Sequence, residues 1–123
     1  MTSLIDTMKS KPYFYCSGGV NEQSISEAEE LLHLKFAEDY KTYLLNMGCA
    51  TFDSHELTGL NIGPRLNVIN VTQNYDLKKL VYVIEELNID GIIIGQNSSG
   101  KVFMISPEGT YSLIAESLLE YIS

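Results

Sequence analysis

The stretch GQNSSGKV, residues 95–102, sets Gly95 and Gly100-Lys101 at nearly the spacing of a phosphate-binding loop. In such a loop a strand delivers glycines into a helix N-terminus. Backbone N–H groups and the lysine then hold phosphate, and a Ser or Thr after the lysine holds Mg²⁺. Here Val102 stands where that hydroxyl belongs. Val102-Phe103-Met104-Ile105 is β-branched and aromatic and runs into Ser106-Pro107, which predicts a strand closed by a turn. Gly91-Ile92-Ile93-Ile94-Gly95 predicts another strand before it. The segment Gln96–Gly100 is therefore expected to be a β-hairpin turn with Gly100 at positive φ, and not a nucleotide site.

Other residue sets with chemical potential are equally unproductive. Asp53-Ser54-His55 holds triad residue types, but sequence neighbours in a loop seldom reach triad geometry. Cys16, His33, Cys49 and His55 lack the paired-ligand spacing of a zinc site, and the two cysteines read as free thiols. Glu85 and Glu86 are adjacent in a predicted strand, so they point to opposite faces and form no acid–base pair. Tyr13, Phe14 and Tyr15 have no basic residues interleaved, which favours core or edge aromatics over base stacking. His33 falls at the end of a predicted helix, where a cation suits the dipole. The expectation is a protein that is not an enzyme and holds no metal or cofactor.

With 123 residues and 45% hydrophobic content, the chain suits one compact domain, residues 1–123, around one core. Its formal charge of −8 argues against nucleic acid or an anionic membrane as the direct partner and favours a basic one. The N-terminal MTSLIDTMKSKPYFYC lacks the basic-then-apolar order of a signal peptide, and no apolar run is long enough to span a bilayer. A cytoplasmic protein is expected.

The first strong element is a helix beginning near Ser24, where Ser24 and Glu27 form a capping-box pattern and Asn21 competes one turn earlier. Ile25, Ala28, Leu31 and Leu32 are expected inward, with Glu27, Glu29 and Glu30 on the outer face. After a break at Leu34-Lys35-Phe36, a second helix starts at Glu38-Asp39, buries Tyr40, Tyr43, Leu44 and Met47, and stops at Gly48. Short strands are expected at Ala50–Phe52 and Glu56–Leu60, and a loop over 61–67. A helix over Val68 to about Lys78 and a strand over Leu80–Leu87 follow, then the hairpin and a turn at Pro107-Glu108-Gly109. Thr110–Leu113 reads as a short strand and residues 114–122 as a closing helix with Ile114, Leu118, Tyr121 and Ile122 inward. Strands do not alternate with helices, which predicts an α+β fold with a mainly antiparallel β-sheet packed with amphipathic helices.

The order of these features resembles the SUKH superfamily, whose founding branch is the Smi/Knr family of yeast cell-wall assembly regulators. The residues that carry the likeness are Ala28-Glu29-x-x-Leu32, Leu34-x-Phe36-Ala37-Glu38-Asp39-Tyr40, Leu44-Leu45-x-x-Gly48, Glu56-Leu57-x-Gly59-Leu60 and the closing Ser117-Leu118-Leu119-Glu120-Tyr121-Ile122. They span about residues 18–122. Phe36-Ala37 replaces the Leu-Pro usual in the family, which removes a favoured first helical residue. The turn Asn88-Ile89-Asp90-Gly91 is also plainer than the family's.

The resemblance implies an immunity protein that binds and neutralises a cognate secreted toxin, often a nuclease. A nuclease cleft must be basic to hold phosphates, so an acidic inhibitor suits it as a substrate mimic. The expected partner-binding residues are Glu27, Glu29, Glu30, Glu38 and Asp39, with a second patch of Glu85, Glu86 and Asp90. Tyr13, Tyr15, Tyr75 and Tyr82 are candidate aromatic anchors. The alternative implied by the fungal branch is a non-enzymatic scaffold binding an endogenous partner in cell-wall assembly.

Overall fold

The computed structural model describes residues 3–123. The signal-peptide reading also used Met1 and Thr2, which lie outside the described residues. The chain opens with α1 (Leu4–Lys9), an element the periodicity did not reveal. Ser3 caps it by accepting from Asp6 N–H, and Leu4 and Met8, one turn apart, are buried. β1 (Tyr15–Cys16) follows, then α2 (Glu22–Leu32) and α3 (Glu38–Met47). Next come β2 (Ala50–Phe52), β3 (His55–Glu56) and α4 (Val68–Gln73). The second half is β4 (Tyr82–Glu86), β5 (Ile93–Gln96), β6 (Val102–Ile105), β7 (Tyr111–Ala115) and α5 (Leu118–Ile122).

Two antiparallel sheets result, one ordered β1-β2-β3 and one a meander ordered β4-β5-β6-β7. The fold is α+β, as expected. One face of the meander (Tyr82, Ile84, Ile94, Val102) shares its core with Ile25 and Ala28 of α2 and Tyr40, Tyr43 and Leu44 of α3. The other face (Val81, Val83, Ile93, Ile105) packs under Val71 and Leu77. Gly95 lies in the middle of this second face. A Cβ there would come within 2.9 Å of Val81 and 3.0 Å of Ile105, so the missing side chain lets those two close over the strand.

The GQNSSGKV stretch spans the end of β5, the turn that follows it and the first residue of β6. Asn97 N–H bonds Lys101 O, Gly100 N–H bonds Asn97 O, and Gly100 takes φ 101°. Chain segments meet most tightly behind α3. A Cβ on Gly59 would sit 2.0 Å from Gly48 O, and one on Gly48 would sit 2.1 Å from Gly18 O. Those glycines let three backbones touch.

Several boundaries move. Asn21, not Ser24, caps α2, accepting from Ser24 N–H at 2.8 Å. The helix after Asn67 ends at Gln73, short of Lys78: the Asn74 and Tyr75 N–H groups close tightly onto the Val71 and Thr72 carbonyls, and Lys78 and Lys79 both adopt positive φ. The strand expected over Glu56–Leu60 is regular only at His55–Glu56; beyond it, isolated bridges join Leu57 to Glu85 and Gly59 to Asn67. The closing helix is confined to Leu118–Ile122. Residues Tyr111–Ala115 extend β7, so Ile114, expected inward, is exposed in a strand. Ser117 supplies the reason, capping α5 through Glu120 N–H.

Candidate interaction surface

Helices α2 and α3 are joined by a tight link whose geometry fixes their spacing. His33 takes the left-handed conformation at the end of α2, and the N–H groups of His33 and Leu34 bond the Glu30 and Glu29 carbonyls. α2 turns Ile25, Ala28, Glu29 and Leu32 inward. This corrects two expectations: Leu31 is exposed, and Glu29, at 8% exposure, is not on the outer face. Its Oε2 accepts from Phe36 N–H at 2.8 Å, while Lys35 Nζ lies 3.9 Å from Oε1. The link needs an acceptor for that buried N–H, and Glu29 supplies it.

Asp39 is likewise internal in role. One carboxylate oxygen accepts from Gln96 Nε2 at 3.0 Å and the other from Leu118 N–H at 2.8 Å. It therefore ties the start of α3 to β5 and to the first turn of α5. Gln96 is fully buried; its Nε2 also donates to Gly100 O, and its Oε1 accepts from Tyr82 OH at 2.6 Å. Tyr82 OH in turn accepts from Ala37 N–H. Tyr82 is thus a core residue and not an interface anchor. Burial raises the Tyr40, Tyr43 and Tyr82 hydroxyls well above the usual tyrosine range. All three stay neutral: Tyr82 donates to Gln96, while the Tyr40 and Tyr43 hydroxyls meet the Thr58 hydroxyl and carbonyl.

The second expected patch does not assemble. Glu85, 3% exposed, accepts from His55 Nδ1 at 2.8 Å, Tyr121 OH at 2.6 Å and Glu56 N–H at 2.8 Å. The register shift between Val83 and Glu85 is the cause. It adds a residue to β4, so Glu85 joins Ile84 on the face that meets α5. Glu86 meets Tyr75 OH instead, and Asp90 is exposed in the Asn88–Gly91 turn. His55 is held above its ordinary value by the Glu85 carboxylate, against a smaller opposing effect of burial. His55 of Asp53-Ser54-His55 pairs with Glu85, a partner that sequence distance hid.

What remains exposed is a set of acidic side chains on α2 and α3: Glu27, Glu30 and Glu38, with Glu22, which the sequence reading passed over. Glu22, Glu29 and Glu38 line a groove of about 230 Å³ between the two helices, with Lys41 and the half-exposed Leu45. Lys41 Nζ pairs with Glu38 at 3.0 Å, and this hydrogen bond raises the amine above its usual value. The spacing of Glu22, Ile25, Ser26 and Glu29 marks a helix face and was available to periodicity. Tyr13 and Tyr15 are also exposed, whereas Tyr75 is half-buried.

Among the described residues no group of three or more His, Cys, Asp or Glu is placed to hold a metal ion, and no helix is long and apolar enough to cross a membrane. Cys16 and Cys49 are free thiols, and burial pushes Cys49 up to about 11. The family model SUKH_5, described as SMI1-KNR4 cell-wall, matches residues 1–123. No curated protein matches the chain.

Proposed function

We propose, from the premise that the chain belongs to the SMI1-KNR4 cell-wall family, that it is an immunity protein which binds and neutralises a cognate toxin without catalysis of its own. The partner is a basic domain, most simply a nuclease, whose phosphate-binding cleft the acidic α2–α3 face occludes. The observation that carries this reading is the exposure of Glu22, Glu27, Glu30 and Glu38 on two helices whose spacing is locked from beneath. A rigid acidic surface meets a basic cleft without ordering cost, and opposite charge speeds the encounter.

The test is to sequence the neighbouring genes and, where one encodes a toxin domain, to assay its neutralisation by this protein, with association rates measured at rising salt. Reversing Glu27 and Glu30 together to Lys is expected to slow association by about tenfold at low salt, with the difference shrinking as salt rises. Both residues are exposed and bond nothing in the core, so folding should not change. Equal rates for the wild type and the double variant would remove this face from the interface.

The second reading, a scaffold for an endogenous cell-wall assembly partner, is favoured by the family model's own description. Recovery of a wall-assembly protein and no toxin from the host would select it.

A further inference from the structure

We propose that β7 is a self-association edge, on which a second copy of this chain adds its own β7 antiparallel to extend the four-stranded sheet. The proposal is independent of the toxin reading.

β7 is the outer strand of the β4-β5-β6-β7 sheet, and Tyr111–Ala115 make no hydrogen bonds except to β6 among the described residues. The opposite edge is different. There Leu57 bridges to Glu85 and Thr58 N–H donates to Ile84 O, so β4 is covered. An edge left open exposes unpaired N–H and C=O groups, and the group that satisfies them in register is another strand.

Natural edges are guarded by lysine, proline, inward-pointing charge or a bulge. Between Gly109 and Ala115, whose sequence is Gly-Thr-Tyr-Ser-Leu-Ile-Ala, the bulge at Ile114 is present and the lysine, proline and charge are not. Leu113 is 52% exposed, Tyr111 and Ile114 are exposed beside it, and Met104, paired with Ser112, is exposed on the other face. Phe103 pairs with Leu113 across the ladder and sets its ring edge-on to Tyr111 at 6.0 Å, so the apolar strip continues inward from the edge. Ile114 is the extra residue at the β6–β7 register shift. The one irregularity on this edge therefore adds apolar surface and not charge.

Charge selects the occupant. A basic cleft gains nothing from an uncharged strip, whereas two copies of charge −8 repel each other least where charge is absent. The strip is also self-complementary about a two-fold axis, the commonest oligomer symmetry. With the axis at Leu113, the leucines of the two copies meet, and Glu116 falls opposite Thr110 of the other copy instead of opposite Glu108. Like charges then do not face each other.

Sedimentation equilibrium over rising protein concentration tests this, with Leu113→Lys and a control, Leu31→Lys, at an exposed leucine on α2. The wild type and the control are expected to pass from 13.8 kDa to twice that mass, while Leu113→Lys stays at 13.8 kDa or needs at least about tenfold more protein. A wild type that remains monomeric to about millimolar concentration overturns the proposal, as does a Leu113→Lys variant that dimerises normally. Should Leu113→Lys fail to fold, oxidation of Leu113→Cys serves instead. Faster covalent dimer formation than Leu31→Cys supports the edge, and equal rates reject it.

Discussion

Glu29 and Glu30 carry the same charge at adjacent positions of α2, yet one accepts a buried backbone hydrogen bond and the other faces water. Truncating Glu29 to Ala strands the Phe36 N–H and should cost about 2 kcal/mol in chemical denaturation. The same change at Glu30 should stay within about 0.5 kcal/mol. A charge reversal at Glu29 would therefore report on folding, and only the variants at Glu27 and Glu30 report cleanly on binding. His55 makes a second residue-scale prediction. Its folded value lies above 6.5 because it bonds Glu85, so its contribution is fully present below that pH and is lost as pH rises through the folded value. The gap in denaturation midpoint between wild type and His55→Gln should narrow over that window. A gap independent of pH would show that the charged form adds nothing.

At the scale of elements, Asp39 is the joint on which three pieces converge: it lies in the first turn of α3, accepts from Gln96 in β5 and accepts from the first N–H of α5. Asp39→Ala removes both acceptors. Loss of about 1–2 kcal/mol is expected by analogy with a lost cap. Hydrogen exchange should speed first in α5, whose first N–H loses its acceptor, while α2 stays protected. Equal acceleration in both helices would mean that the joint is not local. The role was invisible in the sequence because Asp39 reads as an acidic first-turn residue, which it also is.

For the molecule as a whole, the charge of −8 acts in opposite directions on its two proposed associations. Toxin capture by the acidic helices should weaken as salt rises, because attraction is screened. Pairing through the uncharged β7 edge should strengthen, because repulsion between copies is screened. Measuring both affinities across one salt series gives slopes of opposite sign if both surfaces are placed correctly. Slopes of the same sign would show that one of the two contacts lies elsewhere.

The sequence by itself determined the elements whose signal is local. α3 runs from Glu38 to Met47 with its four inward residues as expected, the expected turn over Gln96–Gly100 forms with Gln96 ending β5, and the class is α+β. Periodicity and turn chemistry act over a few residues, and those suffice there. Only the tertiary structure decided which acids face solvent. Glu29 and Glu85 are drawn inward by partners 7 and 30 residues away, Phe36 N–H and the His55 ring. A bulge in β4 breaks the alternation that would have placed Glu85 by counting. A buried donor must find an acceptor wherever the fold brings one, and sequence spacing does not encode that encounter.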